Sequence, residues 1–78
     1  MSYDYQIFMI EKGDRVLVAS YFTQSGPPAI GTVIDIDRFK EEARFPNLVK
    51  VLSVDVPTAP RSSEPDHPVK INLLVEPA

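Results

Sequence analysis

Two stretches of this chain share one pattern, Lys12-Gly13-Asp14-Arg15-Val16-Leu17-Val18 and Gly31-Thr32-Val33-Ile34-Asp35-Ile36. In each, a glycine-bearing turn feeds a short run rich in β-branched residues, and glycine takes positive φ without steric cost. A chain punctuated this way is expected to fold as a mainly β domain of short, strongly bent strands. The pattern constrains architecture closely and chemistry hardly at all.

Five segments read as strands. Tyr3–Ile10 alternates Tyr3, Tyr5, Ile7 and Met9 with Asp4, Gln6, Phe8 and Ile10. The tetrad Glu11-Lys12-Gly13-Asp14 turns the chain into Val16–Phe22, so the first two strands should form an antiparallel hairpin. Strict alternation in the second strand places Val16, Val18, Ser20 and Phe22 on one face and Leu17, Ala19 and Tyr21 on the other. Thr23–Ala29 is a loop, because Pro27 and Pro28 cannot donate to a ladder. A third strand is expected over Ile30–Ile36. Leu48–Val56 is the fourth, with Leu48, Leu52, Val54 and Val56 against Val49, Val51, Ser53 and Asp55. Val69–Val75 is the fifth, with Val69, Ile71, Leu73 and Val75 forming one apolar face. Between the third and fourth strands, Asp37 is placed to cap a short helix over Arg38–Arg44. Its inner face would be Phe39 and Ala43, its outer face Lys40, Glu41, Glu42 and Arg44, and Pro46 would end it. With that helix counted, the class becomes α+β. Pro57–Pro68, rich in proline, serine and charge, reads as a mobile loop.

The 78 residues make one domain, near the lower limit for a chain stabilised by its own core. Below about 80 residues such a core rarely supplies more than ~3–5 kcal/mol. There is no cysteine and a single histidine, His67, so neither disulfides nor a thiolate metal site can reinforce it. Oligomerisation or docking on a partner is the natural remedy. The net charge of −3 comes with scattered cations, which disfavours nucleic acid as a partner because phosphate neutralisation drives most such affinity. No apolar run approaches the ~20 residues of a membrane span, and Met1-Ser2-Tyr3-Asp4 lacks the basic region of a leader; a cytoplasmic location is expected.

In several strands both faces are apolar: Phe8 and Ile10 oppose Ile7 and Met9, and Val49 and Val51 oppose Leu52 and Val54. A two-layer domain with one short helix needs only one buried strand face. The surplus points to a closed barrel, a bent sheet or a subunit interface, against the plainer reading of scattered surface apolar residues.

The order of the two opening motifs, with a loop between them, resembles the first hairpin of SH3-like barrels of the KOW and Tudor type, over about a third of the chain. The resemblance implies a small five-stranded antiparallel barrel or bent sheet and a non-enzymatic binding module for protein or nucleic acid. Fold likeness alone does not transfer function.

No catalytic constellation stands out. Asp35 and Asp37 share a strand face, and Asp55 or Asp14 would have to join them to hold a hard cation or share a proton; a solvated strand residue and a helix cap is the simpler account. His67, between Asp66 and Pro68, has no orienting partner in sequence. Gly26-Pro27-Pro28-Ala29-Ile30-Gly31 lacks the backbone donors of a phosphate cradle. Pro57-Thr58-Ala59-Pro60 matches a four-residue late-domain motif, a match short enough to arise by chance.

The aromatic residues of the first hairpin remain. Tyr3, Tyr5, Phe8, Tyr21 and Phe22 are the candidate partner-binding residues, since amphipathic rings anchor protein interfaces. The expected function is a non-enzymatic protein-interaction module: an accessory subunit or inhibitor of the phage- or bacterium-encoded kind, docking on a larger protein or on itself. No catalytic residue, metal or cofactor is expected. The alternative is a KOW-like nucleic-acid accessory using Arg15, Arg38, Lys40 and Lys50 with Tyr21 as a stacking group. A carboxylate-based metal protein or enzyme on Asp35, Asp37 and Asp55 is the remaining option.

Overall fold

The reversal expected at Glu11–Asp14 is made by two residues, Lys12 and Gly13, with φ of +53° and +83°. Positive φ at both positions is the mark of a type I′ hairpin turn, whose twist matches that of the strands it joins. It links β1 (Tyr3–Glu11) to β2 (Asp14–Thr23) in an antiparallel pair. In the computed structural model, which describes residues 2–24, 26–56 and 69–78, three more strands follow: β3 (Val33–Asp35), β4 (Leu48–Asp55) and β5 (Val69–Pro77). The sheet order is β2-β1-β5-β4-β3, and the sheet curls into a half-barrel. Every pairing is antiparallel except one: β1 and β5 run parallel, Tyr3 beside Val69 and Ile7 beside Leu73. The all-antiparallel expectation is corrected there.

The inner face carries the core: Tyr5 and Ile7 from β1, Val18 and Ala19 from β2, Val49 and Val51 from β4, and Ile71, Leu73 and Val75 from β5. The alternation expected for the first and fifth strands is the one observed. In β2 it fails. A β-bulge inserts Val18 between the pairs Ile7–Ala19 and Phe8–Leu17. Two consecutive residues, Val18 and Ala19, are therefore buried, and Tyr21 rather than Ser20 or Phe22 faces inward beyond them. A second bulge, at Leu52, falls between the pairs Val51–Val75 and Ser53–Leu74 of β4 and β5. Here the phase shift leaves Leu52 and Ser53 consecutively outside, and Val54 returns to the core side. The two bulges flank the Phe8–Leu74 row on its two sides, where they bend the sheet.

The third strand is shorter than expected. Thr32 N–H donates to Ala29 O across a four-residue turn, in which Gly31, at φ +92°, occupies the position that demands positive φ. Ile30 and Gly31 are consumed by that turn.

No helix forms over Arg38–Arg44; among the described residues there is none. Phe39 and Lys40 N–H both donate to Ile36 O, which begins one turn. The next donor, Glu41 N–H, goes to Val18 O of β2 at 2.8 Å instead, and Lys40 bridges to Ala19. A seven-residue helix has little to repay its nucleation, whereas the open edge of β2 offers carbonyls and the half-barrel offers a cavity for Ile36 and Phe45, both buried. Asp37 does not cap; its N–H is held by Asp35 Oδ1 at 2.9 Å. The segment between β3 and β4 thus crosses the mouth of the half-barrel as a roof.

Lys40 holds this roof in shape. Its side chain is 16% exposed, and Nζ donates to Asn47 Oδ1 at 2.6 Å and to Phe45 O at 3.1 Å, with Asp37 Oδ1 at 3.7 Å. Arg44 ties the roof to the hairpin through both carboxylate oxygens of Glu11, each at 3.1 Å, and lies 4.4 Å above the Phe45 ring. A hydrogen bond to a charged group contributes ~1.5–3 kcal/mol. Lys40→Met, which keeps the stem and removes the ammonium, should lower stability by about 2 kcal/mol. That corresponds to a fall in Tm of about 10 °C for a domain this small, measured by circular dichroism. An unchanged Tm would mean that Ile36 and Phe45 hold the roof unaided.

Candidate protein interface

Register assigns the outer face row by row. Leu17 of β2 lies beside Phe8 of β1, Phe8 beside Leu74 of β5, and Leu74 beside Ser53 with Leu52 next to it on β4. This is a continuous apolar belt across four strands. One residue pair further along, toward the β1–β2 turn, the outer row reads Arg15, Ile10, Glu76, Lys50 and Val33. On the other side it reads Ser20, Gln6, Asn72 and Asp55, followed by Phe22, Asp4 and Lys70. Gln6 Nε2 donates to Asp4 Oδ1 at 2.9 Å, and Lys50 Nζ lies 3.9 Å from Glu76 Oε1.

Six of the nine large apolar side chains exposed among the described residues point from this face: Ile10, Leu17, Phe22, Val33, Leu48 and Leu52, between 37% and 70% exposed. At such exposures they present on the order of 500 Å² of apolar surface, within the range that marks an interaction site on a small protein. The rows beside the belt are mixed: charged and polar residues share them with Ile10, Val33 and Phe22, which are more exposed than Leu17 and Leu52.

The five candidate aromatic residues divide between the two faces. Phe8 and Phe22 are on the outer face. Tyr3, Tyr5 and Tyr21 are on the inner face, where they form a ladder with Phe39: ring centroids are 6.2 Å apart for Tyr3–Tyr5, 5.2 Å for Tyr5–Tyr21 and 4.5 Å for Tyr21–Phe39. Tyr5 is buried, so its ring belongs to the core, while Tyr3 and Tyr21 close one end of it. Leu52 is among the surplus apolar residues read from the sequence, whereas Leu17 of β2 and Leu74 of β5 carried no signal of their own as site residues.

The four basic residues of the nucleic-acid alternative are not gathered. Arg15 and Lys50 stand on the outer face on strands separated by β1 and β5, and Arg38 is in the exposed turn of the roof. Lys40 spends its ammonium on the roof's own acceptors instead of pointing outward. Asp35 and Asp55 lie at opposite ends of β4, and among the described residues no group of three or more His, Cys, Asp or Glu is placed to hold a metal ion. His67 and Pro57-Thr58-Ala59-Pro60, with the loop expected over Pro57–Pro68, lie outside the described residues. No helix among the described residues is long and apolar enough to cross a membrane. Comparison with protein-family models, curated proteins and solved structures returned no match for this chain.

Burial pushes the Tyr5 phenol above its ordinary range, with the neighbouring Tyr21 and Tyr3 adding to the shift, and burial does the same to Tyr21. A pKa raised in the folded state favours folding fully below the unfolded value, about 10, and that contribution is lost as pH rises through the folded values. Stability should therefore decline above pH ~10, with part of the tyrosine absorbance titrating only as the chain unfolds. Parallel melting and near-ultraviolet titrations test this. Ionisation of Tyr5 and Tyr21 at the free-phenol pH in a chain that stays folded would contradict it.

Proposed function

We propose that this chain is a non-enzymatic protein-interaction module that docks, through the outer face of its sheet, on a larger protein assembly as an accessory subunit or inhibitor. The observation that carries the reading is the continuous belt Leu17–Phe8–Leu74–Leu52. The inner face is already covered by Ile36 and Phe45 from the roof, and the edge of β2 is met by Lys40 and Glu41. The apolar surface left over is therefore concentrated where it serves no purpose in the core. An SH3-like small barrel is the fold reading proposed with this function; the Ala19–Lys40 bridge, which brings the chain after β3 beside β2, speaks for it, while β2 and β3, which carry the two opening motifs, stand at opposite edges without pairing and β1 and β5 run parallel.

Leu52→Glu and Leu17→Glu alter half-exposed belt positions and leave the core untouched. Each should keep Tm within a few degrees and weaken capture of the cognate assembly at least about tenfold, the equivalent of ~1.4 kcal/mol, in quantitative pull-downs against the unaltered chain. Capture that is indifferent to both substitutions would remove the outer face from consideration.

A further inference from the structure

We infer that the outer face is self-complementary and that a second copy of this chain covers it. This deepens the preceding proposal by naming the partner of the same surface, and it rests on reading that surface as an interface.

The distribution of charge around the belt carries the argument. On β4, Lys50 and Asp55 stand on opposite sides of the belt residues Leu52 and Ser53; on β5, Glu76 and Asn72 stand on opposite sides of Leu74. A closed dimer uses the same patch twice, related by a two-fold axis. An axis running along the belt stacks two sheets with their strands antiparallel and lays belt on belt. Asp55 then meets Lys50 of the second copy, and Asn72 meets Glu76 of the second copy, each contact occurring twice. An axis along the strands through β5 would also overlay the belts, but it would set Glu76 of one copy against Glu76 of the other, and like charges facing across an interface are costly. Complementarity selects the first arrangement, within the ~30° rotation usual for aligned sheets. The Lys50–Glu76 contact at 3.9 Å is half-exposed on both sides, so Lys50 is not committed to it.

Area sets the strength. A standard interface takes about 800 Å² from each partner, some 56–65% of it apolar, and two curled sheets bring together less than that here, because Leu17, Phe22 and Val33 lie on β2 and β3. The curl of the sheet confines close contact to β1, β5 and β4, leaving Phe22 and Val33 toward the rim. The pair should accordingly be reversible, half-associated at roughly 10–100 µM.

Sedimentation equilibrium of the full chain from about 1 µM to about 1 mM tests this. The expected result is a monomer–dimer equilibrium that Leu52→Glu weakens by on the order of 100-fold without loss of Tm, because two carboxylates would be buried against each other. Asp55→Lys should weaken it by about tenfold. The chain has no cysteine, so Ser53→Cys places a single thiol on the belt close to the axis. A short bis-maleimide should then link two copies, while Glu41→Cys on the roof should not be linked. A monomer throughout that range overturns the inference, as does a dimer indifferent to Leu52→Glu. If the chain is monomeric and its capture of another protein is still lost on Leu52→Glu, the self-association reading fails and the interaction-module reading stands.

Discussion

The structure depends on the curl of its sheet. Five strands make two faces, and no helix among the described residues covers either. Bending at the Val18 and Leu52 bulges turns one face inward, so that side chains from β1, β2, β4 and β5 converge, and only the mouth of the half-barrel remains to be filled. Ile36 and Phe45 fill it. The bulge in β2 presents Val18 O to Glu41 N–H, so the irregularity that bends the sheet also anchors the segment that closes it.

That closure is held by polar groups. Lys40 gathers the carbonyl of Phe45 and the side chain of Asn47 beneath the roof, giving acceptors at a turn-rich crossing the donors that a helix would have supplied internally. Arg44 spans from the roof to Glu11 at the hairpin turn and covers the Phe45 ring. Much of the basic charge on this side of the molecule is thus engaged with the fold itself, which leaves the surface without a coherent cationic field.

The outer face follows from the same geometry. In β4 the bulge that curls the sheet expels Leu52 and Ser53 together, widening the apolar belt at the strand where Lys50 and Asp55 flank it. Fold and outer surface are coupled there: a regular β4 would place Ser53 inward, bury a hydroxyl among aliphatic side chains and narrow the belt.

Local patterning was enough to locate the first hairpin and its turn, the alternation of β1 and β5, the existence of β4 and the surplus of apolar residues on a second face, because turn chemistry and period-two burial act over a few residues. Tertiary structure decided the rest. The two bulges depend on how a strand meets its neighbour, and each reverses which residues face inward beyond it, as Tyr21 and Val54 illustrate. The parallel pairing of β1 with β5 joins distant parts of the chain and leaves no trace in either strand. Residues 38–44 carry helix-compatible residues, yet Phe45 gains more by filling the half-barrel and Glu41 N–H by bonding to β2 than a two-turn helix could return. What the amino-acid order determined alone was where the chain extends and turns; which side of each strand meets water was settled by the curl, since burial belongs to the assembled sheet and not to any one segment.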